Sequence, residues 1–203
     1  IDRVSASANM NNRLSEAIVE AYKSTNGAPI SFELMLKCYQ SRMKDANNDD
    51  SISSVLKQLV NAHIFESEDK VSLIDDSYII KMDGYPKDGP IAKAIVYFLM
   101  SKLNNIYELL DKQAVNDEVV QIRHFSIIDE AHYMLDFDNR PLRNLIAVGR
   151  NKGLSIILAT QNMSSFKSKG FDFYANAQYP LIMKQQTIDD KVIKDLFGVS
   201  GQE

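Results

Sequence analysis

The 203-residue sequence has little of three features that many functional classes require. Its single cysteine, Cys38, excludes an internal disulfide framework and a cluster of thiolates around zinc. No run approaches the roughly 18 apolar residues that suggest a membrane-spanning helix, so we predict no membrane segment. The single cysteine fits a reducing compartment, and we expect a cytoplasmic protein. Only eight glycines are present, which leaves few places for a glycine-rich phosphate loop.

The remaining composition is that of an ordinary globular protein. The chain has 23 Lys and Arg against 27 Asp and Glu, a formal net charge of −4, and 45% hydrophobic residues. These values exclude disorder throughout and predict one domain of average size, or one domain with a smaller appendage. Because the chain starts at Ile1 rather than at a methionine, we expect it to be part of a longer protein.

Apolar residues at helical spacing dominate the first third of the chain and predict a helical subdomain over residues 1–70. One helix is predicted from Asn9 to about Thr25, a second after Pro29 with Ser31 as its N-cap, and a third that Ser51 caps. Two strands should follow, at Val71 to Leu73 and Tyr78 to Met82.

The remainder, residues 71–203, alternates between helical and strand patterns. After a loop over 83–90, the predicted elements are a long helix (Ile91 to about Leu110), a polar link (Gln113 to Glu118), a strand (Arg123 to Ile128), a helix (Pro141 to about Asn151), a strand (Ser155 to Ala159), a short helix (Asp172 to Ala175), a strand (Tyr179 to Met183) and a helix (Ile188 to Phe197). Such alternation predicts an α/β fold whose sheet is largely parallel and covered by helices. Near-continuous apolar runs such as Ile156 to Leu158 predict strands buried on both faces.

Two acids, Asp129 and Glu130, directly follow the first apolar strand of this alternation. Ligands of open α/β sheets bind at the carboxyl ends of the strands. In nucleoside triphosphatases one acid holds Mg²⁺ and a second group orients the attacking water. The alternative is that both acids begin a solvated turn, with Asp129 as the cap of the next helix.

Two further polar residues are candidates for the same chemistry. Gln161 follows the strand Leu154 to Ala159, and should lie beside the acid pair, where it can sense a γ-phosphate or position water. Arg150 sits at a helix end beside Gly149, which suits an arginine finger offered to a neighbouring subunit. A helix C-terminal cation that favours the dipole is the simpler explanation of Arg150 alone.

These motifs together resemble the second half of the ATPase core of the HerA/FtsK superfamily of hexameric DNA translocases, to which conjugative coupling proteins also belong. Ile127-Ile128-Asp129-Glu130-Ala131-His132 resembles the Walker B strand, Gly149-Arg150-Asn151-Lys152-Gly153 the Gly-Arg-Lys-x-Gly element, and Leu158-Ala159-Thr160-Gln161 the sensor strand. The segment from Ile79 to Gly84 and the long helix after it also match the element that precedes Walker B. The resemblance covers about residues 73–198.

The resemblance implies a partial RecA-like fold and a part of an ATP-driven DNA motor that assembles as a hexameric ring. It assigns Asp129 to Mg²⁺ through water, Glu130 to activation of the attacking water, Gln161 to the sensor role and Arg150 to action in trans, with Thr160 at the ATP and Mg²⁺ site. A weaker resemblance is to the HerA-like ATPases of bacterial DNA restriction and defence systems, which would imply a nuclease or sensor partner.

One element of such an ATPase is missing from the sequence. A P-loop requires Gly-x-x-x-x-Gly-Lys-Ser/Thr. Gly84 and Gly89 have the required spacing, but Pro90 and Ile91 follow in place of lysine and serine or threonine. Either the P-loop lies upstream in a longer protein, which we favour, or the ATPase is degenerate. In both cases we expect this chain alone neither to bind ATP tightly nor to hydrolyse it.

Two other functions stay open. The order of elements from Ile30 to Met82 is that of a winged helix, and would make this part a binding or regulatory module on a degenerate ATPase. Residues 28–83 hold six basic and ten acidic residues, however, whereas phosphate contact needs positive charge. The letters Asp-Glu-Ala-His at 129–132 also resemble DEAH-type helicases, although Leu158 stands where that family has serine.

Overall fold

The computed structural model describes residues 6–45, 48–64, 72–117, 119–161, 166–168, 171–173, 175–183 and 194. It contains two compact units. The first comprises Ile1–Val71 with Gly84–Ile95, and the second comprises Ser72–Asp83 with Val96–Glu203.

Among the described residues up to position 64, three helices lie in the first unit. The first begins one residue before the predicted start, and the second begins as the sequence predicts. The three helices are α1 (Ala8–Ser24), α2 (Phe32–Gln40) and α3 (Ser51–Asn61). The Ser31 side chain accepts a hydrogen bond from the Leu34 amide, which confirms the predicted N-cap of α2. The buried side chains of this unit include Ala17, Ala21, Tyr39, Leu56 and Leu59.

The predicted cap of α3 is wrong by one residue. Asp50, not Ser51, caps the helix: its Oδ1 accepts from the Ser53 amide at 2.9 Å, and the Ser53 hydroxyl accepts from the Asp50 amide at 2.9 Å. The Asp50 Oδ2 also accepts from Tyr39 at 2.6 Å and from Arg13 at 3.0 Å. Aspartate is preferred here because a single carboxylate satisfies the start of α3 and ties it to α1 and α2.

The predicted strand at Tyr78 to Met82 does not form. These residues belong to no strand, and Ile79 is 88% exposed. Leu73 lies in a turn, whereas Val71 lies outside the described residues. A β-prone run becomes a strand only where a neighbouring strand takes up its backbone hydrogen bonds. The wing of the winged-helix reading is therefore not formed by the described part of residues 72–82.

The second unit contains the strands. The long helix α4 (Pro90–Leu109) forms as predicted and ends in this unit. The strands are β1 (Val115–Asn116), β2 (Val119–Val120), β3 (His124–Ile128), β4 (Leu154–Leu158), β5 (Lys167–Ser168) and β6 (Phe171–Asp172). In the described residues β1 pairs with β2 and β5 with β6, both antiparallel, and β3 pairs with β4 in parallel. The chain is thus of mixed α/β class, as predicted, with one small parallel sheet.

Two short helices connect the parallel strands: α5 (His132–Leu135), which the sequence did not predict, and α6 (Arg140–Val148). A 3₁₀ turn, Arg150–Lys152, joins α6 to β4. Apolar side chains of β3, β4, α5 and α6 pack into one cluster built on Ile128, Ala131, Leu135, Leu142 and Phe173. A second cluster joins the α4 residues Leu103 and Tyr107 to Leu145 and Leu154.

The prediction that β3 and β4 are buried on both faces is wrong. Ile128 on one face is buried, whereas Phe125, Ile127 and Ile157 on the other face are 57%, 70% and 46% exposed. The paired register of Ile127 and Ile157 places these two side chains on the same exposed face. The described helices and loops of this unit therefore cover one side of the parallel pair and leave these three side chains exposed on the other.

The last part of the chain also differs from expectation. The predicted helix at Asp172 to Ala175 is replaced by β6, and the predicted strand at Tyr179 to Met183 is irregular, with Leu181 91% exposed. The predicted helix Ile188 to Phe197 lies outside the described residues, apart from Lys194. None of the helices that the structure describes is long and apolar enough to cross a membrane.

Candidate functional site

The candidate site lies where the two parallel strands end. Asp129 and Glu130 follow β3 directly, and Thr160 and Gln161 follow β4 after one further residue. Backbone hydrogen bonds extend the pairing past the strands: the Ala159 amide donates to the Ile128 carbonyl at 2.9 Å, and the Ala131 amide donates to the Ala159 carbonyl at 2.8 Å. The two ends are therefore held together by the same ladder that forms the sheet.

Glu130 has a backbone conformation that its sequence did not reveal. Its φ is +50°, in the left-handed region that side-chain-bearing residues rarely adopt. The amide of Glu130 donates to the Asp129 Oδ1 at 2.9 Å. Such backbone strain persists only where the surroundings fix it, and it concentrates at functional sites.

The structure brings Gln161 to Glu130, as the sequence predicts. The Gln161 Nε2 donates to the Glu130 Oε1 at 2.7 Å. The other carboxylate oxygen, Oε2, is buried and takes no hydrogen bond in the described part of the chain. The Nδ1 of His132 lies 3.2 Å from this oxygen. Asp129, in contrast, is exposed.

His132 is a member of the cluster that the sequence did not single out. Its Nδ1 also lies 3.4 Å from the Thr160 Oγ1, so the hydroxyl that we assigned to the ATP and Mg²⁺ site faces the imidazole. In the sequence, His132 is the last residue of the Walker B-like segment and of the Asp-Glu-Ala-His letters, but neither resemblance gave it a role.

The Gly-Arg-Asn-Lys-Gly element lies at the opposite end of β4. Lys152 Nζ donates to the main-chain carbonyls of Tyr107 and Glu108 at 2.6 and 2.9 Å, which are among the last carbonyls of α4. This cation satisfies carbonyls that the helix leaves unpaired and opposes the negative end of the helix dipole. The lysine of the element therefore has a structural partner in this chain.

Both glycines of the element are required by close packing. A β-carbon on Gly149 would lie 2.8 Å from the Leu154 Cδ2, and one on Gly153 would lie 2.7 Å from the Gln121 carbonyl oxygen. Gly153 also has a φ of +80°, which favours glycine. The turn between them is therefore fixed at both ends.

Arg150 is exposed on this turn, and the structure does not bring it to the acid cluster. The two places are separated by the length of β4, roughly 16 Å for five residues. The amide of Gln178 lies against the guanidinium, and its oxygen, in the orientation that satisfies both groups, accepts from both terminal nitrogens of Arg150 at 3.0 Å.

The donor set fits Mg²⁺ better than a metal held by protein ligands alone. The described residues contain no group of three or more His, Cys, Asp or Glu that could hold a metal ion. Mg²⁺ commonly keeps several waters and is bound by one or two carboxylates together with phosphates. Asp129, whose side chain is exposed, is a carboxylate of the kind that this mode uses.

No protein-family model matches the chain, and no curated protein is significantly similar to it.

Proposed function

We propose that the chain supplies the Walker B and sensor half of an ATPase of the HerA/FtsK type, which acts as a DNA-translocating motor. The observation that supports this most is the Gln161 to Glu130 hydrogen bond across the carboxyl ends of two adjacent parallel strands. An acid pair and an amide from the neighbouring strand are the groups that water-mediated phosphoryl transfer requires.

The roles follow from the surroundings of each side chain. Asp129 is exposed and would hold the water shell of Mg²⁺. Glu130 would accept the proton of the attacking water on its carboxylate. Gln161, which is hydrogen-bonded to Glu130, would act as the sensor of the γ-phosphate. Mg²⁺, when bound, neutralises charge on the phosphates.

The position of Arg150 favours action on a neighbouring subunit. It is exposed, held on a turn fixed by two glycines, and remote from the acid cluster of its own chain. A trans-acting arginine requires a ring, so the proposal includes the hexamer. It also includes a P-loop from outside these 203 residues, because the sequence has no such motif.

The test is Glu130→Gln in a protein that combines this chain with a P-loop. We expect turnover to fall by about 10²- to 10⁴-fold, the usual contribution of a general base, with ATP binding retained. Glu33→Gln, an exposed glutamate on α2, is the matched control and should keep full turnover. Unchanged turnover with Glu130→Gln, or robust hydrolysis by the 203-residue chain alone, would contradict the proposal.

A further inference from the structure

The hydrogen-bond ladder between β3 and β4 contains one extra residue at its carboxyl end. The Ala159 amide donates to the Ile128 carbonyl at 2.9 Å. In a regular parallel ladder the Ala159 carbonyl would then accept from the amide two residues beyond Ile128, which is that of Glu130. It accepts instead from the amide of Ala131, at 2.8 Å. Asp129 and Glu130 together therefore oppose Ala159, which is the two-against-one arrangement of a β-bulge.

The extra residue decides which side chain enters the core. Successive residues of a strand face opposite sides of the sheet, so a regular strand would place Glu130 on the same buried face as Ile128. The structure places Ala131 there instead, fully buried and in the same cluster as Ile128. The bulge therefore gives the core position to an alanine and leaves the Glu130 carboxylate at the strand end, where its Oε1 accepts from Gln161 at 2.7 Å.

The bulge strains the backbone at Glu130 and removes the ladder partner of its amide. The φ of +50° at Glu130 is unfavourable for any residue that carries a β-carbon. The Glu130 amide, which no longer donates to Ala159, donates to the Asp129 Oδ1 at 2.9 Å. A carboxylate accepts a stronger hydrogen bond than a neutral carbonyl does. The Asp129 side chain therefore takes the place of the acceptor that the bulge removes.

From these contacts we infer that Asp129 is a positioning residue for Glu130, because its Oδ1 holds the bulge that brings the Glu130 carboxylate to Gln161. The hydrogen bond uses one oxygen of an exposed carboxylate, so this role is compatible with the Mg²⁺ role proposed above. The inference rests on the proposed function for its catalytic meaning, but not for the bulge or for the contact that holds it.

The first experiment tests the bulge by urea unfolding of the 203-residue chain without ATP. Glu130→Gly and Glu130→Ala both remove the carboxylate, so the difference between them reports the backbone. At a positive φ we expect glycine to be the more stable variant, with an unfolding constant about two- to fivefold lower than that of alanine. At Glu16, an exposed residue within α1, the order should reverse. Alanine as stable as glycine at position 130, or more stable, overturns the inference.

The second experiment tests the contact by NMR hydrogen exchange of the Glu130 amide in the same chain. Asp129→Asn keeps an Oδ1 acceptor, whereas Asp129→Ala removes it. After correction for the neighbouring residue, we expect exchange to be about tenfold faster in the alanine variant and within about threefold of wild type in the asparagine variant. The Ser53 amide, which donates to Asp50, is the control and should not change. Equal exchange of the Glu130 amide in both variants overturns the contact.

The third experiment measures ATP turnover in the protein that combines this chain with a P-loop. Asp129→Asn and Asp129→Ala both lack the carboxylate charge, so a weakened affinity for Mg²⁺ appears as a higher Mg²⁺ requirement in each. At saturating Mg²⁺ the positioning role predicts a kcat at least about fivefold higher for asparagine than for alanine. Far-UV circular dichroism checks that both variants are folded.

The outcomes separate the two hypotheses. Equal kcat for the two Asp129 variants at saturating Mg²⁺ overturns the positioning role. Unchanged turnover in Glu130→Gln instead overturns the proposed function, and with it any catalytic effect of Asp129. In that case the comparison of glycine with alanine and the exchange of the Glu130 amide still decide whether the bulge forms and whether Asp129 holds it.

Discussion

The buried phenol of Tyr39 should make the first unit sensitive to alkali. Its side chain is fully buried, and its hydroxyl donates to the Asp50 Oδ2 at 2.6 Å. Burial, followed by the neighbouring Asp50 carboxylate, raises the pKa of Tyr39 from 10.0 to about 12. Two pKa units correspond to about 2.7 kcal/mol of difference between the neutral and the ionised phenol.

The sign follows from the direction of the shift. The folded state holds the phenolic proton more tightly than the unfolded state. Its stabilisation is therefore fully present below pH 10 and is lost as the pH rises through about 12. One pKa unit into that window, near pH 11, the loss is about 1.4 kcal/mol. Tyr39→Phe removes the ionisable group together with the hydrogen bond to Asp50, at a cost of about 1 to 2 kcal/mol at neutral pH.

The assay is urea unfolding of the wild-type chain and Tyr39→Phe at about pH 8, 10 and 11. The stability difference between them should shrink by about 1.4 kcal/mol between the lowest and highest pH, because only the wild type has this phenol to ionise. Tyr22→Phe, which removes a half-exposed phenol on α1, is the control. A difference that stays constant with pH would refute the reasoning, since Tyr39 would then gain no protection from burial.

Two further predictions concern the turn before β4. Gly153→Ala should lower the free energy of unfolding by about 1 to 3 kcal/mol, because the φ of Gly153 is +80° and the new β-carbon would lie 2.7 Å from a carbonyl oxygen. The control is Gly84→Ala, whose β-carbon would meet nothing within 4 Å. Equal denaturation midpoints for the two variants would contradict the prediction. Lys152→Met should lower the free energy of unfolding by about 1 kcal/mol, because it leaves the carbonyl of Tyr107 without its partner at 2.6 Å. An unchanged thermal melt would contradict this prediction and show that water replaces the ammonium group.

The helices could be predicted from sequence because their signals are local. In α2, Ser31 and the apolar spacing after it lie within a few turns of one another, so the pattern and the structure agree. The start of α3 could not be placed as well. The choice between Asp50 and Ser51 as the cap depends on contacts of Asp50 with Tyr39 and Arg13, which lie far away along the chain.

Strands were harder to predict from the sequence than helices, because a strand needs a partner strand that its own residues do not specify. The runs Tyr78 to Met82 and Tyr179 to Met183 have the composition of strands, yet neither is one in this structure. The hairpin of β1 and β2 was missed for the opposite reason, since each strand has only two residues. The sequence analysis predicted only a polar link here; Asp117 has a left-handed φ of +49°, which aspartate tolerates.

The site shows the same division between local and distant information. The strand pattern before Asp129 and Glu130, and the one before Gln161, were sufficient to place these side chains at one edge, because parallel neighbours end together. The strained backbone of Glu130 and the contact of His132 with its Oε2 could not be predicted, since both depend on how α5 leaves β3. Sequence motifs therefore identify which groups meet at this edge, whereas the direction in which the Glu130 carboxylate faces is decided by the turn that the motif does not describe.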